Sequence, residues 1–433
     1  RHLATTILTK RSSDSTRFIL MQKTLIQSEC RLALNPQYES HSLYPREAEK
    51  VLNADGFGRA KQSISQWPGY APTPLLELSD LARELDVASL CYKDESSRFD
   101  LGSFKPLGGA YAVASLLQKQ IGQRQGGRKP DISELLAGKH RHTAIDITVT
   151  AATDGNHGRS VAWGARLFGC RCIIFIHETV TNAREHAIAD YGAEVIRTPG
   201  TFDDAVRKAA ETAKTQGWHV IPDTSDGTAI EAPRNVMQGY TLMAAEAIEQ
   251  LPANRAPTHL FLQAGVGGMA AAACAQFWQT FSEHTPAIVL VEPQTAGCWF
   301  DSLSAGHPTA VAGSLKSIMA GLACGEVSYL AWQILRTGAT AMMTISDTVA
   351  EKSMRLLADQ RRVDPPVVAG ESGVAGLAGL IEAASDQQCR IMLGLDEQSR
   401  VLVFGTEGAT DPESYHKIVG RPPHEVASGR HKL

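Results

Sequence analysis

A lysine set directly before a proline, Lys105 in the stretch SSRFDLGSFKPLGGAYAVASLL (96–117), is the first residue whose placement invites chemistry. Pro106 suits the first turn of a helix, so Lys105 sits at a helix entrance, where exposed N–H groups favour anions over an ammonium. A lone lysine there is ordinarily a solvated surface group. Held near a bound phosphate and a carbonyl, the same amine gives up its proton more readily and can form a Schiff base. A second loop, QAGVGGMAAAACAQF (263–277), follows an apolar run and opens an Ala-rich helix. Through Gly265, Val266, Gly267, Gly268 and Met269 the main chain can turn its N–H groups toward an anion at that helix N-terminus. Dinucleotide folds use similar glycine clusters, but this one comes late in the chain, after strands that already supply a lysine-bearing loop.

The third loop, TAATDGNHGR (150–159), places Thr153 and the carboxylate of Asp154 in a glycine-containing turn that leads into a helix. That position would by itself suit an anion, so Asp154 is either an Asx-type turn residue or the partner of a cation. Asn156 can hydrogen-bond a ring hydroxyl, Gly155 and Gly158 allow close backbone approach to a flat ligand, and His157 reads as a structural loop histidine. A further acid, Asp223 in IPDTSDG (221–227), follows a short apolar run and on its own would be a strand-end turn residue.

Apolar runs at 88–95, 144–151, 171–177, 193–198, 219–223, 258–263, 287–293 and 400–406 read as buried strands. Helical spacing with Ala-rich faces occupies 104–120, 157–168, 181–191, 203–216 and 234–251. Such alternation predicts an α/β protein of two domains, each an open, mostly parallel twisted sheet flanked by helices. Ligands in such sheets lie beyond the carboxyl ends of the strands, where all three loops fall. The polar, basic stretch 121–142 reads as a surface insertion, and residues 1–35 as a disordered or targeting leader. The first 23 residues are rich in Ser, Thr, Arg and Lys with one acid, Asp14. They resemble a mitochondrial transit peptide, against an expected cytoplasmic location.

With 42 Lys plus Arg against 46 Asp plus Glu, the net charge of −4 offers no general field for nucleic acid or an anionic membrane. No apolar run approaches the roughly 18 residues of a spanning helix, so the expected partner is a small molecule. The eight cysteines are scattered without a C-x-x-C pair, which indicates reduced thiols and no metal site; Cys298 and Cys324 flank one Gly-rich stretch and could approach each other.

SFKPLGGAYA, TDGNHG and GVGGM, in that order, resemble the fold-type II pyridoxal phosphate enzymes, the superfamily of threonine dehydratases, cysteine synthases and the tryptophan synthase β-subunit. The likeness runs from about Tyr44 to Asp411. It implies pyridoxal 5′-phosphate in a cleft between the domains, Lys105 as the Schiff-base lysine and Asn156 beside the ring hydroxyl. It also implies Gly265–Met269 around the phosphate and Thr406, in FGTEGATDP, at the pyridine nitrogen. A hydroxyl cannot hold that nitrogen protonated as a carboxylate would, which favours β-elimination or β-replacement over transamination.

Within this superfamily PGYAPTPL, ATDGNHGRSVAW, NVMQGY, IMAGLACGE and GTEGATDP resemble the diaminopropionate ammonia-lyases. An acid in place of the dehydratases' Ser or Thr suits a substrate with a second ammonium, since beside a substrate carboxylate it would be repulsive. The resemblance implies elimination of 2,3-diaminopropionate to pyruvate and two ammonia, with Lys105 as base for the L-isomer and Asp154 for the D-isomer. Asp223 would bind or orient the amino group, and Thr153 and Asp154 would line the substrate site. The alternative within the fold is a serine or threonine dehydratase or a β-replacing synthase. The stretch SDGTAIE (225–231) departs from the Trp-Glu-Gly pattern of bacterial members, which bears on pocket shape and on the use of both isomers. The implied domains are a large cofactor-binding one, 36–105 with 226–433, and a small one, 106–225. The implied assembly is a homodimer.

Overall fold

The computed structural model describes residues 24–27, 29–39, 43–153, 155–252 and 255–429. The chain builds part of one sheet, leaves to build a second, and returns to finish the first. Strands β1 (Thr24–Ile26), β2 (Cys30–Leu34), β3 (Leu75–Glu77) and β4 (Ser89–Asp94) come first. Then β5 (Thr148–Thr153), β6 (Arg171–His177), β7 (Glu194–Thr198) and β8 (His219–Val220) form a separate parallel sheet in the order β7-β6-β5-β8. The last four, β9 (His259–Gln263), β10 (Ala287–Pro293), β11 (Ala341–Ile345) and β12 (Arg400–Gly405), complete an eight-stranded sheet ordered β1-β2-β11-β10-β9-β12-β4-β3.

Burial explains which strands the sequence announces. Every residue of β9 and β11 is buried, and β10 and β12 are less than buried only at their half-buried first residue, as strands covered on both faces must be. Runs such as AIVLVEP are therefore continuously apolar. Four strands are absent from the sequence reading. β1, β2 and β3 are short antiparallel additions at the sheet margins, and β11 reads AMMTI, where two unbranched methionines blur the β-branched signature. The expected leader over 1–35 is corrected accordingly. β2 pairs with β11, Leu32 opposite Met343, so residues 30–34 belong to the large sheet, while residues 1–23 lie outside the described residues.

Seven helices bear on the site: α1 (Pro106–Arg124), α2 (Asn156–Phe168), α3 (Asn182–Ala189), α4 (Glu231–Gln250), α5 (Gly268–Phe281), α6 (Cys298–Ala305) and α7 (Ala375–Ser385). α1 starts with proline at its first position and buries a small-residue face, Gly108 to Ala110 with Ala112 and Ala114, against α2 and α4. α4 in turn packs on α5, so one run of helices joins the two sheets. The expected surface insertion at 121–142 is partly packed: a short helix, Ile132–Leu136, has a capping box from Asp131 and Glu134 and buries Ile132 and Leu135. Among the described residues no helix is long and apolar enough to cross a membrane.

Candidate active site

The functional side chains gather where strands of both sheets end. β4 runs into a tight turn, Glu95–Asp100, in which Phe99 and Asp100 take positive φ of 52° and 59°. Arg98 within that turn is buried and forks onto two carboxylates, Nε to Glu95 Oε2 at 2.8 Å and Nη2 to Glu246 Oε2 at 2.7 Å. Lys93 Nζ adds a contact to Glu246 at 3.0 Å, so two cations and two anions of four different residues balance in a dry setting. This network ties the turn to α4 and fixes the loop that delivers Lys105.

Lys105 Nζ donates to Asp223 Oδ2 at 2.8 Å, with the two side chains 20% and 27% exposed, so the pair is recessed yet reachable. Asp223 arrives from the other sheet, just after β8. His157, at the start of α2, donates through Nε2 to the Ile221 carbonyl (2.7 Å) and sets Nδ1 3.9 Å from the same Asp223 oxygen. Burial opposes ionisation of Asp223, but the Lys105 ammonium, then His157 and the Lys105 hydrogen bond, hold its carboxyl well below the usual range. Tyr240 packs its ring 4.6 Å from Phe104 and 5.9 Å from Lys105 Nζ, and burial pushes its hydroxyl pKa up.

The glycine loop lies beside this pair: a Cβ on Gly268 would come within 3.7 Å of the Asp223 carbonyl oxygen. Gly267 has φ +96°, and a Cβ there would sit 2.3 Å from the Trp299 ring, so only glycine allows the turn into α5. α5 has no side-chain cap, which leaves its first N–H groups for an anion such as a phosphate. Behind the loop Trp299 Nε1 donates to the Gly265 carbonyl at 3.0 Å. The thiols of Cys298 and Cys324 both lie against Gly265, and neither is in a disulfide.

At the end of β12, Thr406 is buried and its Oγ1 accepts from Gln263 Nε2 at 2.7 Å, so its own proton remains available to an acceptor. The Phe104 N–H donates to the Thr406 carbonyl at 3.0 Å, which joins this strand to the lysine loop. Asn156 Nδ2 donates to Glu407 Oε2 at 2.5 Å. Thr153 Oγ1 accepts from the N–H groups of Gly155 (3.0 Å) and Gly158 (3.1 Å), a capping task that leaves its hydroxyl proton for a ligand. Asp154 lies outside the described residues.

The structure thus gathers Lys105, Asp223, Asn156, Thr406 and Gly265–Met269 into one neighbourhood. Sequence reasoning passed over Gln263 and Glu407, each inside a stretch already singled out, and gave His157 only a structural task. Each sits one or two residues from a functional neighbour, but no pattern in the sequence marks what its side chain meets. An uncapped helix N-terminus, a recessed lysine and a hydroxyl with a proton to give form a donor set that fits a phosphorylated pyridine aldehyde.

Comparison with known proteins agrees with that fit. Residues 66–404 match the family described as pyridoxal-phosphate dependent enzyme. Diaminopropionate ammonia-lyase of Escherichia coli K12 is 40% identical over 374 residues, which covers 85% of this chain and 92% of that protein. The crystal structure of the selenomethionine-labelled holo form of the E. coli enzyme has a TM-score of 0.82 at 36% identity, covering 91% of this chain and 98% of that one. A second structure, described as a complex with an aminoacrylate-PLP azomethine reaction intermediate, has a TM-score of 0.77 at 35% identity over 92% of this chain and 98% of that chain.

Proposed function

The chain belongs to the diaminopropionate ammonia-lyase branch of the fold-type II pyridoxal-phosphate dependent enzymes, and from that premise we propose that it eliminates one ammonia from 2,3-diaminopropionate, the released enamine then taking up water to yield pyruvate and a second ammonia. The observation that carries the reading is the Asp223 carboxylate, kept ionised 2.8 Å from Lys105 Nζ in the cleft. The cofactor, when bound, supplies the electron sink that lets an α-proton leave.

Lys105 Nζ is the covalent anchor for the cofactor and, once the substrate amine displaces it, the base that takes the α-proton of the L-isomer. Asp154 is the base for the D-isomer, and both Thr153 and Asp154 are assigned to substrate binding. When Lys105 exchanges its partner, Asp223 is left as a carboxylate beside the substrate's second amine. A carboxylate there keeps that amine an ammonium, and an ammonium leaves as neutral ammonia without further acid. Thr406 would offer its hydroxyl to the ring nitrogen, Asn156 would stand at the ring oxygen, and backbone from Gly265 to Met269 would hold the phosphate. The working assembly is a homodimer, with a large cofactor-binding domain of 36–105 and 226–433, now extended by β1 and β2, and a small one of 106–225.

Purified protein incubated with each isomer of 2,3-diaminopropionate, with serine and threonine as controls, is expected to form pyruvate fastest from the diamino acid. No pyruvate from either isomer overturns the substrate assignment, and faster turnover of serine or threonine selects a dehydratase. Asp154→Asn is expected to lower D-isomer turnover by roughly a hundredfold or more while sparing the L-isomer. Unchanged D-isomer turnover removes Asp154 from the reaction.

A further inference from the structure

Glu407 is a buried acid to which the reaction derived above gives no task. It follows Thr406 at the end of β12 and is held at both carboxylate oxygens. The Ser372 N–H donates to Oε1 at 3.1 Å, Asn156 Nδ2 donates to Oε2 at 2.5 Å, and Thr410 Oγ1 lies 3.4 Å from Oε2. Its backbone is gripped as well: the Gly370 N–H donates to its carbonyl at 3.0 Å, and Ser103 pairs with it in an isolated antiparallel bridge. A Cβ on Gly373 would lie 2.5 Å from that carbonyl oxygen, so the neighbouring chain is as close as it can come. Burial and then the nearby Glu371 disfavour the charged form of Glu407, and Arg184, the Ser372 N–H and Asn156 oppose that push. A buried acid with this many donors aimed at it is a costly arrangement unless it orients something.

What it orients is the Asn156 amide. An asparagine can present either its carbonyl or its NH2 to a ligand, and only its hydrogen-bond partners decide which. Both Glu407 oxygens accept here, one from the Ser372 N–H and one from Asn156, and a flip would put the Asn156 carbonyl where a donor now stands. The amide is therefore held with Nδ2 at Glu407, and that nitrogen keeps a second N–H to donate. Thr406 is governed in the same way one residue earlier. Gln263 Nε2 occupies its oxygen as acceptor, so the hydroxyl has a proton to give.

We propose that Glu407 is a positioning residue that fixes the Asn156 amide so that an N–H, not a carbonyl, is offered to the cofactor's ring oxygen. The same hydrogen bond links the segment that follows β12 of the large sheet to the start of α2, which packs on the small one. Consecutive residues 406 and 407 thus set the hydrogen-bond polarity at two positions of one ring, Thr406 as a donor itself and Glu407 through Asn156. The proposal rests on the cofactor half of the functional reading and is independent of the substrate.

The test is Glu407→Gln, an isosteric change that lets either end of the Asn156 amide face position 407. Cofactor-free protein is titrated with pyridoxal phosphate by tryptophan fluorescence, and the ratio of the long- to the short-wavelength cofactor absorbance bands is recorded on the loaded protein. The variant is expected to bind about tenfold more weakly, the size of one hydrogen bond to a charged or polarised acceptor, and to shift the ratio toward the form that keeps its proton on the ring oxygen. Asn156→Ala is expected to do the same, and the double variant to add little to either single change.

Affinity within about twofold of the parent with an unchanged band ratio overturns the proposal. So does a Glu407→Gln protein that melts earlier while both cofactor readouts stay put, because that is a structural role only. Should Glu407→Gln fail to fold, an unchanged band ratio in Asn156→Ala overturns it equally. A parent protein with no visible cofactor band overturns the cofactor reading itself, and the two failures are told apart by that control.

Discussion

Lys105 and Asp223 stand 118 residues apart in the chain and meet at 2.8 Å; against the burial that opposes its ionisation, the Lys105 ammonium is the strongest of the influences that keep the Asp223 carboxyl charged. Lys105→Ala is expected to abolish the visible band of the bound cofactor, and retention of that band would show that another amine carries it. In cofactor-free protein the pair can be measured directly by a double-mutant cycle of Lys105→Ala and Asp223→Asn under urea unfolding. Both side chains are partly exposed, so the expected coupling is about 1 kcal/mol rather than the value of a buried pair. Asp223 is depressed in the fold, so its contribution is complete above the ordinary aspartate pKa of 3.8 and fades as pH falls toward the folded value. A coupling that grew on acidification would contradict this assignment.

The glycine loop is shaped by an element behind it. Glu292, the penultimate residue of β10, accepts from the Trp299 and Phe300 N–H groups at 2.8 Å each and so caps α6, whose Trp299 supports Gly265 and Gly267. Burial pushes this fully enclosed carboxyl up from 4.5 to about 8, against the two N–H groups and Cys298. An acid raised in the fold binds its proton more tightly there than in the unfolded chain. Stability is therefore expected to fall as pH rises from about 4.5 to about 8 and to level off above, with a slope of at most about 1.4 kcal/mol per pH unit from this group. Glu292→Gln, neutral at every pH, is expected to flatten the pH dependence of the urea midpoint across that range, and an identical slope in the variant would exclude Glu292 as its source.

At the scale of the whole molecule, β1 and β2 close the margin of the eight-stranded sheet beside β11, all five residues of which are buried. Uncovering β11 would expose an apolar edge open to pairing with other chains. Leu32, fully buried opposite Met343, and Ile26, 72% exposed, sit in the same hairpin. Leu32→Asp is expected to cost several kcal/mol and promote aggregation, because it buries an unpaired charge. Ile26→Asp is expected to stay within about 0.5 kcal/mol of the parent. Equal melting temperatures for the two variants would mean that the hairpin is dispensable.

The sequence by itself determined the parallel core, because strands covered on both faces must be apolar throughout, and RCIIFIH and AIVLVEP say so without help. It also carried the family resemblance that implied the cofactor, because SFKPLGGAYA, TDGNHG and GVGGM are local stretches of chain. β5 begins four residues later than its apolar run suggests, since Arg141–Ala144 closes a helical turn first. The marginal strands, the Arg98 network under the lysine loop and the hydrogen-bond partners of Gln263, Glu407 and His157 were decided only by the tertiary structure. Each depends on a partner far away in the chain, Glu407 on Asn156 across 251 residues, and sequence spacing holds no record of which distant donor a buried carboxylate will meet.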